Sequence, residues 1–346
     1  MRRKKGGAGG ISDWFLYLCG MKRFLFCLLL MPALLAHAQP KVVGEKAYNI
    51  DDYVPAGNYS GIAPLGNGRY AVVDDKHATD GFYVWQLALD SLSGELLSLR
   101  NEGFRGSDSP NRDAEGVAVM KFHAMRQTDD GAVGSVVQRV AVCGERDNRI
   151  VEYTPEGQLT GRKSENLLGR TKSNAGLEGL CWDATRQCLW AMEEKGKDGL
   201  CHLFQVDSDL VKTREMTYLP DFTTRPERGK WQAHGVSGIA AAPNGGLLVL
   251  EREVWVPEHK VGAWVKCKIY YIDPADLDRG NTVKQLVWQN QTHINFLSRS
   301  WANYEGLCWG PRLANGTRTL LLVSDSQDRY SGFLHDWLLV LQVEGL

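Results

Sequence analysis

Carboxylates recur in one repeated phrase of this sequence, and carboxylates that the fold brings together could bind a metal ion. Glu-Gly-Leu-Cys-Trp stands at residues 178–182 and again at residues 305–309, and a looser copy begins at residue 115. Two further copies carry serine in place of the glutamate, at Ser60 and Ser237. Hard cations such as calcium take several oxygen ligands and favour carboxylates. The first predicted metal ligands are therefore Glu115, Glu178 and Glu305.

A second set of acids follows the phrase, one in each copy. Each phrase is followed by a turn and an apolar run that ends on an acid, and in four of the five copies a base comes next. The dipeptides are Asp75-Lys76, Glu145-Arg146, Glu194-Lys195, Glu251-Arg252 and, without the base, Asp325-Ser326. Because neighbouring residues of a strand face opposite sides, one member of each pair can face a ligand and the other the boundary between repeats.

These dipeptides could supply both halves of a site for phosphate. The acids that extend the predicted set of metal ligands are Asp75, Glu194, Glu251 and Asp325. The bases that suit an anionic substrate are Lys76, Arg146, Lys195 and Arg252, the arginines through paired hydrogen bonds to phosphate oxygens. A metal ion with cationic side chains is typical of phosphoryl chemistry, in which stabilisation of charge dominates.

Glu178, Glu305 and His234 are the candidate catalytic residues. His234 directly precedes the fourth phrase and could act as an acid or a base near neutral pH. Structural alternatives stay open, because repeated acids can also bind backbone amides or arginines of a neighbouring repeat, and a lone histidine is often only a hydrogen-bonded surface residue. Burying several carboxylates without counter-ions costs free energy, so some of the set should face a ligand.

The spacing of the phrase predicts the fold that must position these side chains. Its glycines lie 55 to 68 residues apart and no helical periodicity intervenes. The five anchor glycines are Gly61, Gly116, Gly179, Gly238 and Gly306. A repeat of this length favours an all-β propeller of four-stranded blades. The count predicts five blades, with six as the alternative if one outer region holds two.

The two ends of the chain predict how the ring closes. After Gly306 only 40 residues remain, and 22 residues separate Gln39 from Gly61. Together these make up one repeat, so a strand near residues 47–53 should complete the last blade beside residues 337–343. Such closure removes exposed sheet edges. Within the second repeat, the polar insertion at residues 122–135 is predicted to be a surface loop.

Residues 21–38 have the pattern of a secretory signal peptide. Lys22 and Arg23 precede an apolar stretch too short to span a bilayer, and Ala36-His37-Ala38 fits a cleavage site. The pattern predicts an extension at residues 1–20, a single mature domain at residues 39–346, and a periplasmic or secreted location. Of the six cysteines in that domain, Cys188 and Cys201 could form a disulfide, and free thiols are the alternative.

Composition excludes some partners. The chain carries 40 Lys and Arg against 41 Asp and Glu, so no basic surface indicates nucleic acid. No segment after residue 38 is apolar over the length of a membrane span. We expect a monomer that binds a small phosphate ester or another anionic ligand at one mouth of the propeller channel.

The repeated phrases resemble the family described as esterase-like activity of phytase. The resemblance is carried by the Ser60 opening, residues 113–116, 176–179 and 303–306, and the phrase at residues 234–240. It covers nearly the whole mature chain and implies an exported β-propeller that hydrolyses phosphate esters, inositol phosphates among them. By analogy with calcium-dependent propeller phytases, it implies carboxylate-bound Ca²⁺ and attack by a metal-activated water.

Three functions follow as hypotheses. The leading one is an exported hydrolase of phosphate esters that acts through a metal-activated water. The second is a non-catalytic propeller that binds an envelope glycan, a peptide or a partner protein. Carboxylic-ester hydrolysis, which the family's description also suggests, comes last, since no Gly-x-Ser-x-Gly nucleophile elbow is present.

Overall fold

The computed structural model describes residues 39–128, 131–170, 175–222, 231–294 and 300–346, except for the side chains of residues 123–128, 131–135 and 231. The signal peptide and N-terminal extension that the sequence predicts lie outside these residues. Within the described part of the chain, no helix is long and apolar enough to cross a membrane.

In this described part, twenty strands form five antiparallel sheets of four strands each, which confirms the all-β propeller with five blades rather than six. Blade 1 consists of β2 (Tyr59–Gly66), β3 (Arg69–Asp74), β4 (Thr79–Leu89) and β5 (Leu96–Pro110). Blade 2 consists of β6 (Ala114–Thr128), β7 (Gly131–Gly144), β8 (Arg149–Tyr153) and β9 (Leu159–Lys163). Blade 3 consists of β10 (Leu177–Asp183), β11 (Cys188–Glu193), β12 (Cys201–Val206) and β13 (Lys212–Tyr218).

Blade 4 consists of β14 (Trp231–Ala241), β15 (Leu247–Val256), β16 (Trp264–Ile272) and β17 (Lys284–His293). Blade 5 consists of β18 (Asn303–Arg312), β19 (Arg318–Asp325), β20 (Trp337–Glu344) and, at its outer edge, β1 (Lys41–Asn49). The described residues also include one short helix, α1 (Pro274–Arg279), and a 3₁₀ turn at Asp328–Tyr330.

Burial falls from the second strand of a blade to its outer strand. In blade 3, every residue of β11 is buried, whereas β13 alternates between exposed and buried positions near its end. A strand covered on both faces by neighbouring blades must be apolar throughout, which is why each second strand is written as a continuous apolar run. These runs meet in hydrophobic clusters that cross the blade boundaries, such as the one joining Leu250 of blade 4 to Leu322 of blade 5.

The N-terminal strand closes the ring, as the sequence predicts. β1 pairs antiparallel with β20, from Lys41 opposite Glu344 to Asn49 opposite Trp337. The sequence predicts this strand near residues 47–53, whereas β1 covers residues 41–49. Its pairing partner was therefore predicted more accurately than its bounds. The side chain of Glu45 accepts a hydrogen bond from Trp288 Nε1 in blade 4 at 2.7 Å, which also fastens the closing strand to the adjacent blade.

Two expectations about the blades are corrected. The insertion at residues 122–135 is not a loop: β6 and β7 continue their pairing through it, from Phe122 opposite Val137 to Thr128 opposite Gly131. A polar hairpin can extend past the body of a blade because its backbone hydrogen bonds are made within the hairpin. The disulfide considered for Cys188 and Cys201 is not formed, since both thiols are free and buried among apolar side chains.

Candidate functional site

A β-bulge stands at the same place in all five inner strands. The pairing between the first and second strands skips one residue in each blade, immediately before the anchor glycine. The residues at the bulges are Ser60, Glu115, Glu178, Ser237 and Glu305. A bulge redirects a side chain that would otherwise alternate with its neighbours. The repeated phrase therefore encodes the bulge, and the bulge places glutamate or serine at one level of the propeller axis.

The anchor glycines close the channel beneath this level. A Cβ added to Gly238 would lie 2.3 Å from the carbonyl oxygen of Glu305, and one added to Gly306 would lie 2.8 Å from the Cα of Gly61. The space left between the inner strands here is only about 10 Å³, which is too little for more than a single water. The channel is thus nearly closed at this level of the axis.

The cavity above the glycines is lined mainly by charged side chains. It has a volume of about 690 Å³, and eight carboxylates and two cations line it together with Asn58 and Asn303. We call it the carboxylate cavity. Its acids are Asp75, Glu115, Glu145, Glu178, Glu194, Glu305, Asp325 and Asp328, and its cations are Lys76 and Arg252. The predicted metal ligands therefore meet in one place, with the exception of Glu251.

The exception arises because the dipeptide of blade 4 is shifted by one residue in the pairing of its first and second strands. In blade 3, Leu177 pairs with Glu193, and the amide of Glu194 bonds to the carbonyl of Gly176. In blade 4, the corresponding pairs are Val236 with Glu251 and Gly235 with Arg252. Arg252 is therefore the counterpart of the cavity acids in the other blades. A cation stands at this position of the ring, while the acid before it faces the blade boundary.

Glu251 has a full set of partners at the boundary between blades 3 and 4. Its carboxylate accepts hydrogen bonds from the Tyr218 hydroxyl, from Lys284 Nζ and, at 2.8 Å, from the backbone amide of Asp221. Only 2% of the residue is exposed. These contacts bind the outer strand of one blade to the inner part of the next. Glu251 therefore has a structural role, which is the alternative that the sequence left open. It lies apart from the other predicted metal ligands.

Arg252 neutralises part of the acidic ring. Its Nη1 donates to Glu305 Oε1 at 2.6 Å and its Nη2 to Glu194 Oε1 at 3.0 Å, while Glu178 lies 4.0 Å away. Its side chain is 13% exposed, and its Nε has no acceptor among the described residues. The pKa of the guanidinium is raised by Glu305, Glu194 and Glu178 against the opposing effect of burial. Arg252 therefore stays charged and links blades 3, 4 and 5.

Glu115 and Glu178 are buried acids of the cavity with little compensation from the described residues, since even Arg252 lies 4.0 Å from Glu178. Each is only 5% exposed, and no hydrogen bond to either carboxylate is donated within the described part of the chain. Burial, then repulsion from Asp75 and Glu305, raises the pKa of Glu115 well above its usual range. Burial, then repulsion from Glu115 and Glu194, does the same for Glu178. A buried carboxylate without a donor is costly, so both sites favour a bound cation or a proton.

Three further acids titrate near neutral pH. Burial, together with repulsion from neighbouring carboxylates, raises the pKa of Asp75, Glu305 and Asp325 to about 7 in each case. Carboxyl groups of this kind can release a proton in exchange for a cation close to physiological pH.

Two groups of three acids have ligand oxygens that lie within 4.8 Å of one another, and both could hold a metal ion. One consists of Asp75, Asp113 and Glu115, and Lys76 already bonds to Asp75 and Asp113 there. The other consists of Glu145, Glu178 and Glu194, where the guanidinium of Arg252 bonds to Glu194 at 3.0 Å and lies 4.0 Å from Glu178. The second group is the better candidate because Arg252 also bonds to Glu305, whereas both Lys76 and Arg146 pair with the first group.

The remaining predicted residues lie away from the cavity wall. Arg146 is 62% exposed and pairs with Asp113 at 3.0 Å, and Lys195 is half-buried outside the cavity lining. His234 follows Ala233, which does line the cavity, and so faces the other side of β14. The ring of His234 packs against Phe222, with 4.3 Å between ring centroids. Of the four predicted anion-binding residues, the fold brings Lys76 and Arg252 into the cavity.

Sequence reasoning missed two ligand candidates, Asp113 and Glu145. Glu145 was recognised in its dipeptide but not among the metal ligands, although it holds the same repeat position as Glu194. Its carboxylate accepts hydrogen bonds from the amides of Ala175 and Gly176, which orients it towards Glu178. Its position in the repeat could have identified Glu145 as a ligand candidate from the sequence. The amide contacts could not be predicted, because they depend on the fold.

The profile of the family Phytase-like, described as esterase-like activity of phytase, matches residues 54–327. The chain belongs to this family. The match spans all five inner strands of the Phytase-like propeller and every residue of the carboxylate cavity except Asp328. No curated protein matches this Phytase-like chain.

Solved structures resemble this Phytase-like protein only distantly. A streptogramin B lyase is 10% identical over 86% of this chain and 97% of that one, with a TM-score of 0.36. A PQQ-bound aldose sugar dehydrogenase from Streptomyces coelicolor is 14% identical over 88% of this chain and 100% of that one, at 0.35. A mannose phosphorylase from Leishmania mexicana is 10% identical over 93% of each chain, at 0.39. Likenesses this weak carry no argument about function.

Proposed function

We propose that the protein is an exported, metal-dependent hydrolase of phosphate esters whose site is the carboxylate cavity. The observation that carries the proposal is a pair of buried glutamates, Glu115 and Glu178, to which no described residue donates a hydrogen bond. Beside them lies Arg252, whose Nε has no acceptor in the same part of the chain. Membership of the Phytase-like family supports the choice of phosphate esters. Fold alone does not decide function, so the proposal depends on this site.

The proposed metal site consists of Glu145, Glu178 and Glu194. All donors are carboxylate oxygens, which favour a hard cation, and calcium tolerates irregular sets of such ligands. A bound Ca²⁺ would supply charge for the phosphoryl oxygens and lower the pKa of a coordinated water. The residues fit this ion because they form a compact group of three acids beside a single guanidinium, that of Arg252, which they share with Glu305.

Protein side chains would supply the other roles. Arg252 adjoins the metal site, and its Nε has no acceptor among the described residues, so it would orient an anionic substrate. Lys76 lines the same cavity from blade 1, where it would add positive charge. Glu305, with a pKa of about 7, would accept a proton near neutral pH. His234 has no part in this proposal, because its ring packs on Phe222.

Phosphate release tests the proposal directly. Purified protein should liberate inorganic phosphate from a panel of alkyl, aryl and inositol phosphates with added calcium, and chelation should abolish the release. Glu178→Gln should lower kcat/KM at least about tenfold, since it removes one charged ligand. Glu165→Gln is the matched control, because the Glu165 side chain is 96% exposed and should change nothing.

Two outcomes would contradict the proposal in different ways. Release that survives both chelation and Glu178→Gln would show hydrolysis without this metal site. Saturable calcium binding without turnover of any ester would support the non-catalytic alternative. The exported location is tested separately, by finding whether the mature chain begins near Gln39 in a periplasmic or secreted fraction. We also expect a monomer, which sedimentation measures.

A further inference from the structure

A second cavity of about 690 Å³ adjoins the carboxylate cavity on the side of blades 4 and 5. We call it the apolar cavity. Its wall includes Val256, Ala263, Ile294, Trp301, Phe333 and Leu334. Trp301 and Gln327 line both cavities, so the two share a wall.

Strand β15 runs from one cavity to the other. Arg252, Val254 and Val256 alternate with residues of the opposite face and therefore share one face of the strand. Arg252 and Val254 line the carboxylate cavity, and Val256 lines the apolar one. Charge thus gives way to apolar surface along a single strand face. The second strand of blade 3 ends at Glu193, at the level of Glu251, whereas β15 continues to Val256.

The walls of the apolar cavity are open to solvent. Phe333 is 55% exposed and Val261 47% exposed, although both could be buried by a small ligand. The volume lies within the roughly 300–1,000 Å³ that is usual for small-molecule sites. A cavity of this size is better suited to bind a compact apolar group of a small molecule than the surface of another protein.

We propose that the apolar cavity binds the alkyl or aryl group of a soluble phosphate ester while the phosphate lies in the carboxylate cavity. The assignment of the phosphate rests on the function proposed above. The substrate class is then an amphipathic phosphate ester, and a fully hydroxylated inositol phosphate would leave the apolar wall uncovered.

Binding of phosphonates, which are not hydrolysed, tests this without relying on catalysis. Methylphosphonate and octylphosphonate, the latter below its micelle concentration, are titrated calorimetrically into the full protein with calcium. Affinity should rise about threefold per buried methylene, and octylphosphonate should bind at least ~30-fold more tightly than methylphosphonate. Equal affinities, or no binding of octylphosphonate, would overturn the proposal.

Variants locate the effect. Phe333→Ser and, independently, Val261→Ser should each weaken octylphosphonate binding about threefold to tenfold and leave methylphosphonate unchanged. Leu92→Ser is the control, because Leu92 is 70% exposed and lines neither cavity. If Leu92→Ser weakened octylphosphonate binding equally, the binding would be nonspecific apolar contact, and the proposed site would be wrong. If the pattern holds but no ester is hydrolysed, the apolar site stands and the hydrolase function fails.

Discussion

Arg252 of blade 4 donates a hydrogen bond to Glu305 of blade 5, with Nη1 2.6 Å from Oε1. The contact joins the second strand of one blade to the bulge of the next. It also places one permanent positive charge in a ring that is otherwise acidic, because Arg252 holds the position occupied by Asp75, Glu145, Glu194 and Asp325 in the other blades. The acidic site and the assembly of the ring therefore depend on the same side chain.

Arg252→Gln should destabilise the metal-free protein by about 3–5 kcal/mol at pH 8, since it leaves buried carboxylates uncompensated. The loss should shrink at pH 5.5, where more of those carboxyls are protonated. Urea unfolding with a chelator measures both values. Arg146→Gln, at a side chain that is 62% exposed, is the control and should change stability by less than about 1 kcal/mol.

Stability of the metal-free protein should fall as pH rises. The pKa values of Asp75, Glu305 and Asp325 are raised to about 7 by burial, whereas such groups titrate near about 4 in an unfolded chain. Between these values the folded protein holds protons that the unfolded chain releases, so the free energy of unfolding decreases from about pH 4 to about pH 7. Thermal unfolding with a chelator should give a lower Tm at pH 8 than at pH 5.5.

Asp325→Asn assigns that pH dependence to the cavity. It should reduce the difference in Tm between pH 5.5 and pH 8 by about 2 °C or more, because one of the titrating groups is lost. Asp209→Asn, at a side chain that is 81% exposed, should leave the difference intact. Calcium should raise Tm more at pH 8 than at pH 5.5, since protons compete with the metal. A difference that Asp325→Asn leaves unchanged would place the titrating groups elsewhere.

Glu145→Gln and Glu251→Gln should separate metal binding from assembly. Glu145 belongs to the proposed metal group, so its change should weaken calcium binding about tenfold or more. Glu251 bonds to Tyr218 and Lys284 at a blade boundary, so its change should lower the free energy of unfolding by about 1–3 kcal/mol. Calcium titration and urea unfolding of both variants check the contrast. The reverse assignment would restore Glu251 as the ligand.

Gly238→Ala should destabilise the propeller strongly. The added Cβ would lie 2.3 Å from the carbonyl oxygen of Glu305, which is backbone and cannot rotate away. We expect a loss of about 3 kcal/mol or more, comparable with overpacking a core. Gly44→Ala is the control, since its Cβ would meet only the side chain of Gln342 at 3.2 Å. Thermal unfolding of the two variants gives the comparison, and equal Tm values would show that the inner strands can separate.

The sequence by itself determined the repeat, the number of blades and the closure of the ring by an N-terminal strand. These follow from apolar runs and from the spacing of anchor glycines, which are local patterns and a count. It also identified Glu115, Glu178 and Glu305 as equivalent positions, because a repeated phrase holds its side chains at a repeated depth.

Only the tertiary structure decided which charges meet. The dipeptides Glu194-Lys195 and Glu251-Arg252 look alike in sequence, yet their strands are offset by one residue, so Glu194 faces the cavity and Glu251 faces a neighbouring blade. A shift of one residue turns a side chain to the opposite face of a strand. The surroundings of Glu178, the closure of the axis at Gly238 and the apolar cavity beside Trp301 likewise arise between strands that are far apart in sequence. No local sequence pattern predicts such contacts.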